Sequence, residues 1–125
     1  MNHGDLAAAT VISAAAFGLD LGDPASGARW RARVEHGLEH DPGGAFVAER
    51  HGRIIGIAEA IRRERLWCLS LLTVDPDTQS AGAGRALMER ALGYAEGTDA
   101  GPYGALCVRG DPGPLWPFVP SPPFA

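Results

Sequence analysis

Leu71-Leu72-Thr73-Val74-Asp75-Pro76-Asp77-Thr78-Gln79-Ser80-Ala81-Gly82-Ala83-Gly84-Arg85-Ala86-Leu87 is the stretch whose residue types and order could do chemistry. An apolar strand runs into a proline-bearing turn, then a glycine-rich loop, then an amphipathic helix. Backbone N–H groups at a helix N-terminus have no intrahelical acceptor and carry partial positive charge, which favours an anion such as a phosphate. Gln79-x-x-Gly82-x-Gly84 places glycine where the chain must take a positive φ or let a ligand approach the backbone closely. The amides of Ala81, Gly82, Ala83, Gly84 and Arg85 could then cradle a diphosphate. The Gly-Lys-Ser/Thr ending of a Walker loop is missing, and the three-glycine dinucleotide fingerprint is incomplete. The other reading of the same residues is a plain strand-to-helix turn that uses small side chains for packing.

The elements that must position this loop follow from periodicity. Ala8, Val11, Ile12, Ala15, Ala16 and Leu19 recur at helical spacing and predict an amphipathic helix over 5–19. Asp23 followed by Pro24 reads as an N-cap and first-turn proline, opening a second helix whose apolar stripe is Trp30, Val34 and Leu38. Asp41-Pro42-Gly43-Gly44 ends it. Residues 45–49 and 54–61, joined by His51-Gly52-Arg53, read as a β-hairpin. Residues 66–74 are apolar on both alternating faces, which suits a central strand covered on both sides. Leu87, Met88, Ala91, Leu92 and Ala95 mark a third helix, and 103–108 a last short strand.

Composition bounds the rest. The chain has 125 residues, 46% of them hydrophobic, enough for one small core. A net charge of −4 argues against non-specific nucleic-acid binding, which needs a basic surface. No signal peptide and no membrane-length apolar run is visible, so a cytoplasmic chain is expected. Cys68 and Cys107 both fall in predicted strands and read as reduced, buried thiols. Beyond Asp111 prolines crowd together with Trp116, Phe118 and Phe124, a composition that opposes helix and central strand alike. Residues 111–125 are therefore expected to form an extended tail on a domain spanning 1–110.

Leu72-Thr73-Val74-x-Pro76-x-x-Gln79-x-x-Gly82-x-Gly84-Arg85-Ala86-Leu87 resembles the acyl-coenzyme-A-binding motif of the GNAT superfamily of N-acetyltransferases. The order of two helices, a hairpin and a long strand is similar to that fold over 5–108, although the specific motif covers only 71–87. The resemblance implies an α/β domain, a central mixed β-sheet flanked by helices, here incomplete at its N- and C-terminal edges. It implies acetyl-CoA as cosubstrate and transfer of an acetyl group to a primary amine of a small molecule or peptide. On this chain the diphosphate would fall to the amides of Gln79, Ser80, Ala81, Gly82, Ala83, Gly84 and Arg85. The pantetheine amides would pair with the backbone of Leu72 and Val74. A backbone N–H near Leu72 or Thr73 would polarise the thioester carbonyl.

An acceptor amine arrives as its ammonium and must lose a proton before it attacks. Glu59, a carboxylate in the row Ile55, Ile57, Glu59, Ile61, is the candidate base; the alternative is that it is solvated at the sheet edge or paired with an arginine. The family's later helix, which commonly carries a tyrosine that protonates the departing thiolate, has no counterpart in Asp111-Pro112-Gly113-Pro114-Leu115-Trp116-Pro117. Tyr94 and Tyr103 lie on other elements. A truncated or frameshifted member is therefore one expectation, and a catalytically inactive CoA-binding or dimer-forming remnant, pairing through an open sheet edge, is the other. His36, His40 and Asp41 could share a metal, but more simply lie solvated at a helix C-terminus, and no metal is expected. Arg62, Arg63 and Arg65 around Glu64 read as a solvated turn. Trp30 and Trp67 read as core.

Overall fold

The computed structural model describes residues 1–64 and 66–96, and of 79–81 the backbone alone. Its elements are α1 (Leu6–Ala16), α2 (Pro24–His40), β1 (Ala45–Arg50), β2 (Arg53–Arg63), β3 (Leu66–Val74) and α3 (Ala83–Gly93). Short 3₁₀ turns cover His3–Asp5, Pro42–Gly44 and Pro76–Ala81. The expected strand over 103–108, Cys107, Arg65 and the proline-rich segment lie outside the described residues.

The three strands form one antiparallel sheet in the order β1-β2-β3. Its hairpin turns at His51 and Gly52, whose φ values of 52° and 75° are those a tight two-residue turn between twisted strands demands. Two bulges break the ladder. Ala48 faces Gly56 while Glu49 faces Ile54, so Ile55 is the extra residue on β2. Glu59 faces Leu71 while Ala60 faces Leu69, so Ser70 is the extra residue on β3. Each bulge shifts the alternation of side chains by one. The row Ile55, Ile57, Glu59, Ile61 is therefore not continuous: Ile54, not Ile55, packs with Ile57.

Helices cover both faces. Leu6, Ala9, Val34, Leu38, Ala45, Ile57 and Leu71 form the core between the sheet and the α1–α2 pair. Ala58, Ala60, Trp67, Leu69, Leu87, Met88 and Ala91 form the core beneath α3. Burying Ile57 or Leu6 fully contributes about 2 kcal/mol each. The two-faced apolar character of β3 is thus explained, but among the described residues the middle strand is β2.

The predicted face of α1 is also corrected. Its buried residues are Leu6, Ala9, Thr10, Ser13 and Ala14, while Val11 and Leu19 are exposed. The hydroxyls of Thr10 and Ser13 donate to the carbonyls of Leu6 and Ala9, at 2.6 Å each, so neither is an unsatisfied polar group in the core. Small residues then let α1 lie close on the sheet. The α2 start is as expected: Asp23 accepts from the Ala25 N–H and the Ser26 hydroxyl. Trp30 of α2 packs its ring at a tilt against Phe17 and donates its indole N–H to Ser13, which locks the two helices together. Trp67 donates to the Ala91 carbonyl from beneath α3.

Candidate functional site

The glycine loop is held by one aspartate. Asp75 donates its N–H to the Ile55 carbonyl at 2.7 Å, which fastens the end of β3 to the bulge in β2. Its carboxylate accepts from the Asp77 N–H at 3.0 Å and from Arg53 at 2.7 Å. Its carbonyl accepts both the N–H and the hydroxyl of Thr78. The chain then runs through the 3₁₀ turn to Gly82, at φ +78°, where α3 begins. An L-residue is strained at that φ, so glycine is required by the turn. Gly82 offers no side chain to cap α3, leaving the first-turn amides of Ala83 and Gly84 facing away from the helix.

Gly84 is the more telling residue. Among the described residues a Cβ there would meet only Val74 Cγ2, at an ordinary 3.6 Å, so their packing does not demand glycine. Glycine in a helix nevertheless costs up to about 1 kcal/mol relative to alanine. The bare backbone suits a ligand approaching the first turn, and the residues present fit a diphosphate.

Glu59 lies on β2 beneath α2 and is only 3% exposed. Across the strands it faces Ala45 and Leu71, and its carboxyl fits against Gly37 of α2, where a Cβ would overlap Oε2. Its Oε1 has no hydrogen-bond partner among the described residues. Burial pushes this carboxyl up to about 7, and the Arg33 guanidinium pulls it part of the way back. Glu59 is therefore not solvated, and among the described residues no arginine hydrogen-bonds to it. Arg33 instead donates to the carbonyl and hydroxyl of Ser70, at 3.0 and 3.3 Å, pinning the bulge on β3 next to Glu59. Its guanidinium lies 5.0 Å from the Trp30 ring centre.

Leu72, Thr73 and Val74 lead into the loop on the outer strand of the described sheet. Thr73 turns its side chain to the same face as Leu71 and Glu59, and its buried hydroxyl also lacks a partner among the described residues. The structure thus brings Glu59, Thr73 and the strand leading to the loop together on adjacent strands.

The other candidates do not converge on this site. His36 and His40 stack at 3.8 Å with the His40 ring against the His36 carbonyl, while Asp41 turns away from them. Among the described residues, the groups close enough to share a single ion are instead His3, Glu35 and Glu39. Asp41 is the centre of a buried clamp, accepting the Arg62 N–H at 3.1 Å, Arg63 at 2.8 Å and the Tyr94 hydroxyl at 3.0 Å. Arg62 lies over the Tyr94 ring and donates to the Tyr94 carbonyl. Arg62 and Arg63 are thus structural, not a solvated turn, and the Tyr94 hydroxyl is committed to Asp41. Burial raises the Asp41 pKa, but the bonds from Arg63, Arg62 and Tyr94 outweigh it and hold the carboxyl below its ordinary value.

Reading the sequence left Arg33 off the apolar stripe of α2 and passed over Gly37 and the Thr73 hydroxyl. A signal for one was present. Glycine in the interior of a 17-residue helix, one turn beyond an arginine, carries a propensity cost that needs a packing reason.

The sequence model of the Acetyltransferase (GNAT) family matches residues 14–111. A mycothiol acetyltransferase from Streptomyces coelicolor is 42% identical over 59 residues, covering 46% of this chain and 19% of that protein. Ard1 from Thermoplasma volcanium is similar in structure, with a TM-score of 0.65 and 17% identity over 79% of this chain and 62% of its own. A putative acetyltransferase from Pyrococcus horikoshii has a TM-score of 0.61 and 18% identity over 74% and 31%. These two show a shared fold. The chain spans less than two thirds of the length of each of the three proteins.

Proposed function

The chain belongs to the GNAT acetyltransferase family, and from that premise we propose that it transfers an acetyl group from acetyl-CoA to a primary amine, with Glu59 as the base. The observation that carries the reading is a carboxyl 3% exposed, with an oxygen lacking a partner among the described residues, one strand away from the strand that feeds the glycine loop. When bound, acetyl-CoA supplies an acetyl group activated as a thioester. The amides of residues 79–85 bind its diphosphate, with the start of α3 adding a favourable dipole. The backbone of Leu72, Thr73 and Val74 orients the acyl arm along β3. Glu59, ionised above about pH 7, takes the proton that the acceptor ammonium must lose. A base of that pKa is matched to work near neutrality.

The loop assignment is tested by Gly84→Ala. Among the described residues the added methyl meets only Val74, so thermal unfolding of the protein alone should show a gain of up to about 1 kcal/mol. The same methyl stands where the diphosphate must approach, so calorimetric affinity for acetyl-CoA should fall by roughly tenfold or more. A stabilised variant with unchanged affinity would remove the loop as the diphosphate site. Turnover is measured by release of the CoA thiol over a panel of primary amines; binding without turnover would favour a cofactor-binding module.

A further inference from the structure

We infer that Arg53 is a positioning residue for the cosubstrate: its guanidinium cancels the charge of Asp75 at the mouth of the glycine loop, so the loop can be anchored on a carboxylate and still receive an anion. The inference rests on the reading of residues 79–85 as the diphosphate site.

The loop takes its shape from Asp75. The Asp75 carboxylate Oδ1 accepts the Asp77 N–H at 3.0 Å, and the Asp75 carbonyl accepts the Thr78 N–H at 2.9 Å and its hydroxyl at 3.1 Å. These bonds build the Pro76–Ala81 turn that delivers Gly82 to the start of α3. A side-chain oxygen that accepts the N–H two residues on is a turn device that aspartate and asparagine supply alike. Aspartate adds a negative charge to it, and Asp77 adds a second in the same turn. Charges a few ångströms apart at a partly buried site interact strongly enough to change affinity about tenfold or more. An anchor of this kind, left bare, opposes the ligand that the loop amides attract.

Arg53 removes the conflict. The start of β2 grips Asp75 at two points: the Ile55 carbonyl takes the Asp75 N–H at 2.7 Å, and Arg53 Nη2 donates to Oδ2 at 2.7 Å. Oδ2 is the oxygen that the Asp77 N–H does not use, so the ion pair leaves the turn intact. The burial is unequal. The Asp75 side chain is 11% exposed and that of Arg53 is 71% exposed. Water therefore screens the aspartate poorly, while the arginine neutralises it from the surface. The reach is set by the His51–Gly52 turn, whose positive φ values end immediately before Arg53.

The test is isothermal titration of the full chain with acetyl-CoA and with acetyl-pantetheine, in wild type, Arg53→Gln, Arg53→Lys and the double variant Arg53→Gln/Asp75→Asn. Glutamine keeps a donor and removes the charge, so acetyl-CoA should bind about tenfold more weakly, and acetyl-pantetheine, which has no diphosphate, should bind as before. The acetyl-CoA deficit should shrink as salt is raised. Lysine keeps the charge and should stay close to wild type. The double variant should regain wild-type affinity, because asparagine still accepts the Asp77 N–H and no charge remains to cancel. Unchanged acetyl-CoA affinity in Arg53→Gln, an equal loss for both ligands, or a double variant as weak as the single one overturns the role of Arg53. Equal affinity of wild type for the two ligands overturns the loop reading itself. Should Arg53→Gln not fold, Arg53→Ala carries the same expectation.

Discussion

Glu59→Gln should lower kcat for acetyl transfer by about 10²–10⁴-fold, the range expected when a positioned general base is removed. Glutamine has nearly the shape of glutamate, so the fit against Gly37 survives and the fold is kept. The acid limb of the pH–rate profile, which wild type should show near pH 7, should vanish with the carboxyl. Stability gives an independent readout with a definite sign. A carboxyl raised from 4.5 to about 7 on folding binds more protons in the native state than in the unfolded one over that interval. Wild-type stability should therefore fall as pH rises from 4.5 to 7, by about 3 kcal/mol in all. The glutamine variant should lack that slope and be the more stable of the two at pH 8. A variant with full activity and an intact acid limb would show that the proton leaves by another route.

Asp41→Ala should cost about 3 kcal/mol, because it strips the acceptor from three donors that converge on one buried oxygen. The clamp fastens the end of α2 to the far end of β2 and to the residue that follows α3. Its loss should loosen the ends of both helices that flank the site. Urea denaturation at pH 7 measures it. The pH dependence runs opposite to that of Glu59. Asp41 is held below its ordinary 3.8, so its contribution is present above that value and is lost as pH falls through the lower native one. Alanine removes this acid-side loss, so the stability gap between the two proteins should close in strong acid. A gap that stays constant with pH would mean that the ionised carboxylate is not what the clamp uses.

The loop and the hairpin were legible because local rules dominate there. Asp23-Pro24 caps a helix, His51-Gly52 turns a hairpin, and Gly82 takes the left-handed conformation, each for reasons confined to a few residues. The family resemblance at 71–87 is of the same local kind. The face of α1 was not legible, because alanines and valine suggested one stripe while tertiary packing chose another. Buried Thr10 and Ser13 satisfy their own hydroxyls within the helix, so they cost little in the core. Glu59 stood out as a carboxylate in an apolar row. What makes it a candidate base, the notch at Gly37 and the bulges that aim it, depends on register between strands and on a helix packed from elsewhere. Asp41 read as solvated beside His36 and His40, with a shared metal the lesser alternative, whereas the chain brings Arg63 and Tyr94 against it.

The central claim is that the loop over residues 79–85 receives the diphosphate of acetyl-CoA. Isothermal titration of the full chain with acetyl-CoA, beside acetyl-pantetheine as a ligand that lacks the diphosphate, tests it most directly. The expected result is saturable one-site binding of acetyl-CoA, with acetyl-pantetheine weaker by roughly tenfold or more, since charge-assisted bonds to the phosphates are lost. Equal affinity for the two ligands, or no saturable binding of acetyl-CoA, would contradict it.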